Sequence, residues 1–265
     1  MAEKKKRSLG TVIFYIIPIA ALSAAIFFGY LFLKDYLEYK QAEDEYAEID
    51  ASYIRLSDDT GKKETEPVDE KDYFPELDID FKGLKAKNSD FACVLYLPAL
   101  NIKYPVVYSK DNEDYLKRTF DGSYNSSGCI FYDYLSRPDF KGYNTFLYGH
   151  NMKNGAMFGR LKKLQDMANT KGNLYFYIYT EEKARKYEIF SFYHTTVGGE
   201  AYSEITDDKT YDSYTKYCLR NSYFKGYEND IEFSLRPELV TLSTCSGSAG
   251  GDERFVVHGA LIEEK

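Results

Sequence analysis

The alternation of apolar and polar residues changes character along this 265-residue chain, and the first region is a long apolar run. Residues Leu9 to Leu33 carry no charge and follow a basic cluster at Lys4 to Arg7. As a helix these residues would extend roughly 37 Å, enough to cross a hydrocarbon core of about 30 Å. Pro18 lies inside the run, but a membrane helix tolerates a proline. The run predicts a transmembrane helix over residues 9–33.

A cleavable signal peptide also has basic residues before an apolar stretch, followed by small residues at a cleavage site. Here the small residues lie in the middle of the run, between Ala20 and Ala25, and Ile26 to Leu33 follow them. This arrangement favours an uncleaved anchor. The basic cluster before the helix and the acidic residues after it place residues 1–8 in the cytoplasm. Everything from Lys34 onward is then expected outside the cell.

The next region, residues 34–72, is predicted to hold an extracellular amphipathic helix and a linker. Residues 39–56 place apolar side chains at steps of three and four, which form one stripe of a helix: Tyr39, Ala42, Tyr46, Ile49, Tyr53 and Leu56. We expect this stripe to pack on the folded domain. The segment Ser57 to Asp72 is polar and charged and has the character of a linker or surface loop.

The third region, residues 73–265, contains eight short runs of strand-forming residues separated by turn residues. They are Phe91–Leu97, Tyr104–Tyr108, Gly128–Tyr132, Tyr143–Tyr148, Asn173–Thr180, Arg185–Tyr193, Leu239–Cys245 and Arg254–Ile262. Helical stretches are predicted at Asn112–Thr119, Ala156–Leu164 and Asp207–Phe224. The pattern predicts a mainly β domain, a closed barrel or a sandwich, with a helical insertion between its late strands.

Composition and charge narrow the possible functions. The chain has 34 basic and 42 acidic residues, a net charge of −8, which argues against a dedicated nucleic-acid binder. It also has 27 Tyr and 18 Phe residues, which suit strands that are half buried. Most of these aromatic residues are expected to be packing residues.

Four cysteines have different sequence contexts. Cys93 and Cys129 lie in apolar strands and are expected to be buried, and Cys218 lies on the predicted insertion helix. An even number of cysteines on an extracellular chain also leaves disulfides open. Cys245 ends the strand LVTLSTC and precedes SGSAGG, so it is expected at a strand end beside a flexible loop. Reactive groups commonly lie in such places, although a structural cysteine there is also frequent.

A thiol nucleophile needs an imidazole nearby. His150 follows the strand YNTFLYG and is therefore also at a strand end, whereas His194 closes a strand and His258 lies inside the strand RFVVHGALI. Arg254 begins the last strand, so a hairpin would place it next to Cys245. A guanidinium there could bind an oxyanion or a substrate carbonyl, although a plain surface arginine fits the spacing equally well.

These segments resemble the signatures of class B sortases. The resemblance rests on TLSTC at 241–245, RFVVHGAL at 254–261 and YGHNMKNGAMF at 148–158, and it covers about residues 73–265. It implies an eight-stranded sortase barrel, and the insertion around Asp207–Phe224 resembles the one that distinguishes class B. By this resemblance the chain is an enzyme of Gram-positive cell surfaces that needs no metal or other cofactor.

The resemblance also implies an activity and its partners. The enzyme would cleave the C-terminal sorting signal of surface proteins, of the NPxT[G/N] kind, after its threonine. Cys245 would hold the acyl group as a thioester, and an amine of peptidoglycan or its lipid-linked precursor would accept it. His150 would serve as acid and base, and Arg254 would hold the substrate and the oxyanion. Asn112, Leu116, Tyr148 and Ser243 match substrate-groove positions. Ser246 stands where some relatives have an acidic residue, so a side-chain role there is not implied.

Three other interpretations are compatible with the sequence. A secreted cysteine protease would share the nucleophile and the histidine but transfer the acyl group to water. In a non-catalytic surface-binding module, Cys245 and His150 would be structural. A pilus-polymerising class B sortase would use a lysine of another protein as its acceptor.

Overall fold

A computed structural model describes residues 9–57, 73–137, 139–169, 172–224, 231–245 and 251–265. The basic N-terminus at residues 1–8 and the predicted linker from Asp58 to Asp72 lie outside the described residues. In the described part the α-helices are α1 (Leu9–Tyr53), α2 (Phe81–Lys87) and α3 (Asp208–Asn221). The strands in this part are β1 (Ile54–Leu56), β2 (Leu77–Ile79), β3 (Phe91–Leu97), β4 (Ile102–Val107), β5 (Ile130–Tyr132), β6 (Asn144–Tyr148), β7 (Tyr175–Tyr179), β8 (Ala184–Thr196), β9 (Leu239–Cys245) and β10 (Glu253–Glu264).

Eight strands close into a barrel in the order β10-β8-β7-β3-β4-β5-β6-β9, with β9 paired to β10. The pairs β4–β5 and β6–β9 are parallel, and the other neighbours are antiparallel. All eight predicted strands are present, so the predicted closed barrel is confirmed. Closure leaves the barrel without an unpaired edge strand. β1 and β2 form a separate two-stranded sheet that the sequence analysis did not predict.

Helix α1 joins the apolar run and the amphipathic stripe into one continuous helix that passes through Pro18. In the described part it is long and apolar enough to cross a membrane, and its apolar side chains from Phe14 to Leu37 are exposed. Farther along, Ala42, Tyr46 and Ile49 are buried in the same core as the barrel. The predicted packing of the stripe is therefore confirmed for these residues.

The predicted helical stripe is wrong at its last residue, Leu56. The helix ends at Tyr53, and Leu56 lies in β1 with its side chain half exposed. The chain turns into a strand here because Ile54 to Leu56 pair with β2. Backbone pairing with a distant segment thus overrides the helical spacing of the apolar residues.

Two truncations should separate the apolar half of α1 from the half that packs on the barrel. Removing residues 1–33 is expected to give a folded protein in the soluble fraction, because the long apolar run is gone. Removing residues 1–53 also deletes Ala42, Tyr46 and Ile49, and we expect it to lower the free energy of unfolding by at least about 3 kcal/mol. Membrane fractionation and urea denaturation measure the two effects. Membrane retention of the first truncation, or equal stability of both, would contradict the division.

Helix α3 is the predicted insertion between β8 and β9, and it covers the outer face of β8, β10 and β9. Its N-terminus is closed by a capping box in which Asp207 and Thr210 exchange hydrogen bonds. Beneath the helix lies a second core that contains Tyr211, Tyr214 and Cys218. Apolar residues on the outside of these strands, such as Phe190, Tyr193 and Leu239, are thereby buried.

The two other predicted helices are reduced to short 3-10 turns. Asn112–Thr119 contains only Asp114–Leu116, because the carbonyl oxygens of Tyr115 and Lys117 accept from the N–H groups of Cys129 and Asn125 instead of from a following helical turn. Ala156–Leu164 is replaced by a 3-10 helix at Leu161–Met167. Residues 156–159 cannot start it, because Met157 has a left-handed backbone (φ 51°) in a bridge to Asn151.

Candidate active site

A pocket of about 480 Å³ opens at one end of the barrel, where β6 and β9 end side by side. Of the seven site residues predicted from the sequence, the structure places six around this pocket. They are Asn112, Leu116, Tyr148, His150, Ser243 and Arg254. These residues come from segments that are up to 142 positions apart in the sequence, since Asn112 and Arg254 both line it.

Cys245 is the seventh residue, and the β9–β10 ladder places its backbone at the pocket. Its Cα pairs directly with that of Arg254, as the predicted hairpin requires, and the preceding residue, Thr244, lines the pocket. The side chain of Cys245 and the following residues 246–250, with Ser246, lie outside the described residues. The strand register thus brings the backbone of Cys245 beside the arginine.

The other three cysteines are poor candidates for a nucleophile. Cys93, Cys129 and Cys218 are free and fully buried. Burial disfavours the thiolate and raises the pKa of each of these thiols to about 12. The expected burial of Cys93 and Cys129 is confirmed. None of the three would carry a useful fraction of thiolate at neutral pH.

His150 lies two residues beyond the end of β6, as predicted. Its Nε2 is 2.7 Å from the carbonyl oxygen of Leu116, and a carbonyl can only accept, so Nε2 carries a proton. The backbone carbonyl of His150 accepts from the N–H of Phe158 at 3.0 Å, and Gly149 N–H donates to Ser243 O at 3.2 Å. The position of His150 is therefore fixed by the hydrogen bond of its ring and by backbone hydrogen bonds of His150 and Gly149.

Gly128 forms part of the support beneath the His150 ring. It has φ +63°, a left-handed conformation that favours glycine. A Cβ at this position would lie 2.6 Å from the carbonyl oxygen of Tyr115 and 2.9 Å from Cδ2 of His150. The close approach of backbone and imidazole therefore requires a residue without a side chain.

Arg254 begins β10 at the pocket. Its Nη1 donates to the carbonyl oxygens of Gly251 at 2.7 Å and Glu253 at 2.8 Å. These two bonds use one of the three guanidinium nitrogens, and the planar group carries five N–H donors in total. The backbone contacts fix the orientation of a group that has further donors on Nε and Nη2.

The four predicted substrate-binding residues form the walls of the pocket in different ways. Leu116 is partly exposed and holds His150 through its carbonyl, and Tyr148 packs on Phe131 with ring centroids 5.6 Å apart. Burial and the nearby carboxylate of Asp133 raise the pKa of Tyr148. Ser243 Oγ lies 2.7 Å from the hydroxyl of Tyr202.

Asn112 differs from these three because its amide is already engaged within the protein. Its Nδ2 donates to Asp133 Oδ1 at 2.9 Å, and its Oδ1 accepts from the N–H of Tyr134 at 3.0 Å. The side chain fastens the segment after β5 to the pocket wall. It shapes the pocket through these bonds.

Sequence reasoning missed several residues that line the pocket, namely Phe131, Gly149, Val197, Gly198, Tyr202 and Thr244. Tyr202 and its neighbours follow β8 in the segment VGGEAY, where two glycines and an aromatic residue were a possible signal. Nothing in the spacing indicates that this loop bends over β9. That contact depends on the long connection between β8 and α3.

The two other histidines lie elsewhere. His258 is fully buried between Thr241 Oγ1, 2.9 Å from its Nδ1, and Tyr193 Oη, 3.1 Å from its Nε2, so its predicted structural role is confirmed. His194 is exposed near the end of β8, and its Nε2 lies 3.2 Å from Nε2 of Gln165. Within the described residues, no group of three or more His, Cys, Asp or Glu side chains is arranged to hold a metal ion.

His258 should make the stability of the fold depend on pH. Burial lowers its pKa to about 3, so it is neutral in the folded protein, whereas in the unfolded chain it takes up a proton below about pH 6.5. The free energy of unfolding should therefore fall by about 2 kcal/mol between pH 7 and pH 5, because the unfolded chain takes up this proton and the folded protein does not. Urea unfolding of the protein and of His258→Gln at both pH values measures this. An equal change for both proteins would rule out His258 as the source.

Comparison with known proteins agrees with this geometry. A sortase-domain family model matches residues 95–262, so the chain belongs to the sortase family, whose members are cysteine transpeptidases. Within that family it is similar to class B. Sortase B of Listeria monocytogenes is 29% identical over 188 residues, which cover 71% of this chain and 76% of that protein.

Two further class B proteins extend the comparison. Sortase B of Staphylococcus aureus is 26% identical over 253 residues, which cover 94% of this chain and 96% of that protein. The crystal structure of Clostridium perfringens sortase B superposes with a TM-score of 0.62 and 31% identity, covering 69% of this chain and 99% of that chain. The chain is a class B sortase by family and by fold.

Proposed function

We propose that this sortase cleaves a sorting signal of the NPxT[G/N] kind after its threonine and transfers the threonyl group to an amine of peptidoglycan or of its lipid-linked precursor. The observation that carries the proposal is the register of β9 and β10. It places the backbone of Cys245 opposite Arg254, at a pocket that His150 also lines.

The reaction is proposed to proceed in two steps with one thioester intermediate. The Cys245 thiolate attacks the threonine carbonyl, the peptide C–N bond breaks, and the leaving amine takes a proton from His150. In the second step the acceptor amine attacks the thioester and gives a proton back to His150, and the thiolate leaves. Since Nε2 of His150 donates to Leu116 O, we assign the transferred proton to Nδ1.

Arg254 is proposed to bind the oxyanion that develops on the threonine carbonyl. A planar guanidinium held by two backbone carbonyls can direct its other N–H donors at the developing charge without reorganisation. Leu116, Tyr148 and Ser243 are proposed to contact the signal residues. Asn112 is proposed to act indirectly, because its hydrogen bonds to Asp133 and Tyr134 hold the wall of the groove in place.

The proposed setting of the enzyme is based on α1. The apolar half of this helix could span a membrane, and its other half packs on the barrel. We propose a single-pass protein with residues 1–8 in the cytoplasm, an anchor at 9–33, an external helix and linker at 34–72, and the catalytic domain at 73–265. Its partners are then surface proteins with a C-terminal sorting signal, and the cell wall.

Product analysis tests the proposal directly. The enzyme would be incubated with peptides that carry an NPxT-type signal or a scrambled signal, together with either a wall-peptide mimic or a lysine-containing pilin-type peptide. We expect mass spectrometry to show a new amide between the threonine and the wall-peptide amine, with the scrambled signal inert. Preferential joining to the pilin-type lysine would replace the wall acceptor, and release only of a peptide that ends in a threonine carboxylate would indicate a protease.

A further inference from the structure

A second pocket of about 480 Å³ adjoins the candidate active site along the outside of β6. Asn144 and Phe146 line it, and Tyr148, the next residue on the same face of the strand, lines the first pocket. The alternating residues Thr145 and Leu147 are buried. The two pockets are therefore consecutive parts of one groove, and we call the second one the upstream pocket.

Two contacts join the pockets at their common border. Tyr202 lines both of them, and Asn112 of the first pocket donates a hydrogen bond to Asp133 of the second. The border thus consists of side chains on the groove surface, and a bound peptide could continue across it. The parallel register of β6 and β9 gives the position of each pocket relative to Cys245.

The register gives the distance of each position on β6 from the level of Cys245. Asn144 pairs with Leu239, six residues before Cys245 on β9, which corresponds to about 20 Å along the strand. A peptide held at Cys245 by its threonine carbonyl and extended along the groove spans about 3.3 Å per residue. The four residues of the signal would cover about 13 Å, and the three residues before them would reach the level of Phe146 and Asn144.

We propose that the upstream pocket binds the segment of the surface protein immediately N-terminal to the sorting signal, and that it prefers a basic residue there. This inference rests on the proposed function. It extends the recognised substrate from four residues to about seven. The preference comes from the surface chemistry of the pocket.

The floor and the rim of the upstream pocket suit a lysine or arginine side chain. Phe146 and Tyr202 stack with centroids 5.7 Å apart and offer an aromatic surface for the apolar stem. Glu204 is an exposed carboxylate among the lining residues. The basic lining residue Arg137 is in a bidentate pair with Asp139, at 3.1 and 2.8 Å, so its charge is already compensated.

The upstream pocket can be tested with peptides of different length and charge, using the full-length protein in detergent. Thioester formation would be measured for the bare signal and for the signal extended by three residues that include either a lysine or a glutamate. We expect kcat/KM for the lysine extension to exceed that for the glutamate extension by about threefold to tenfold, the scale of one partly exposed ion pair. Glu204→Lys should reverse this order.

Glu76→Lys is the matched control. It makes the same change of charge at an exposed site. The neighbouring Pro75 accepts a hydrogen bond from Tyr179 of β7, and β7 lies four strands from β6 in the barrel. It should leave the lysine preference unchanged. Equal rates for all extensions, or equal effects of the two substitutions, would overturn the upstream pocket while the bare signal still reacts. No thioester with any peptide would overturn the proposed function itself.

A separate set of contacts connects α1 to His150, and from it we infer that Tyr46 is a positioning residue for this imidazole. The hydroxyl of Tyr46 donates to the carbonyl oxygen of Gly128 at 2.8 Å, and Gly128 lies beside the His150 ring, where a Cβ would come within 2.9 Å of Cδ2. The Tyr46 ring also packs edge-on against Tyr104 at 5.3 Å.

Tyr104 holds the other side of the same histidine. Its hydroxyl accepts from the N–H of Met157 at 3.2 Å, and the next residue, Phe158, donates its N–H to the carbonyl of His150. Tyr46 therefore supports both backbone segments that contact His150. Through it, the docking of the membrane-proximal helix is coupled to the position of the proposed acid and base.

Tyr46→Phe tests this coupling because it removes one hydroxyl and keeps the ring. We expect kcat to fall about threefold to tenfold, the scale of one buried hydrogen bond, with KM for the peptide within twofold and the pH profile of kcat/KM displaced. Tyr179→Phe is the control, since its buried hydroxyl donates to Pro75 O at 2.7 Å on the far side of the barrel. Its kcat and pH profile should not change. The same kcat and pH profile in both variants would reduce Tyr46 to a packing residue.

Discussion

Replacing Cys245 with alanine is expected to abolish the covalent intermediate and to reduce turnover by on the order of 10⁴-fold or more, because no other group in the pocket can form a thioester. With the unchanged protein, a peptide with an NPxT-type signal should produce a mass increase on Cys245. The three other thiols are buried, and their pKa values of about 12 prevent them from replacing it.

Cys218→Ala is the matched control for this experiment. Cys218 lies in the core beneath α3, so its removal should cost some stability and leave the adduct unchanged. An adduct that maps to Cys93, Cys129 or Cys218, or cleavage that persists in Cys245→Ala, would refute the assignment of the nucleophile.

The lifetime of the adduct separates a transpeptidase from a protease. We expect the thioester to persist in buffer and to discharge faster when hydroxylamine or a wall-peptide mimic is added. A protease would release the peptide to water quickly, and amines would make little difference. His150→Ala should lose both formation and discharge, because in the proposed mechanism one imidazole serves as acid for the leaving amine and as base for the acceptor.

Arg254→Lys is expected to lower kcat/KM for thioester formation by about a hundredfold to a thousandfold while the protein stays folded. Lysine keeps the positive charge but has no planar fork. Its ammonium group therefore cannot be oriented by Gly251 O and Glu253 O and at the same time direct further donors at the oxyanion. Steady-state kinetics with the signal peptide, together with urea unfolding, measure both parts of the prediction.

Arg236→Lys is the control for the loss of a guanidinium. Arg236 makes a bidentate pair with Asp212 of α3, at 3.2 and 3.0 Å, and it is not among the residues of the pocket. This substitution should reduce stability slightly and leave kcat/KM unchanged. If Arg254→Lys retained near-normal turnover, Arg254 would be a surface residue with backbone contacts, and the oxyanion would need other donors.

Much of the fold could be predicted because its signals are local. The apolar run of α1, the eight β-type segments and the insertion helix each depend on residues close together in sequence. The predictions failed where hydrogen bonds to other segments overrode the local pattern. Asn112–Thr119 has helical spacing, but the N–H groups of Cys129 and Asn125 take the carbonyl oxygens that a longer helix would use, and Leu56 joins β1 because a partner strand lies beside it.

The candidate site was predictable in part for the same reason. Cys245 and Arg254 belong to one hairpin, so nine residues of sequence separation were enough to place them opposite each other. His150 could be assigned to a strand end, but its position beside Cys245 requires β6 and β9 to pair in parallel. The 94 residues between His150 and Cys245 contain β7, β8 and α3, and no periodicity within them reports that pairing.

The sequence by itself determined the apolar run of α1, the strands, the Cys245–Arg254 hairpin and the membership of a family, since each of these is written in neighbouring residues. Only the tertiary structure decided that Tyr46 of α1 bonds to Gly128, that Leu116 and Gly128 hold His150, and that Tyr202 joins two pockets into one groove. These contacts link residues far apart in the chain. Barrel closure and burial select them, because a pairing between distant strands is stabilised only when the whole barrel forms.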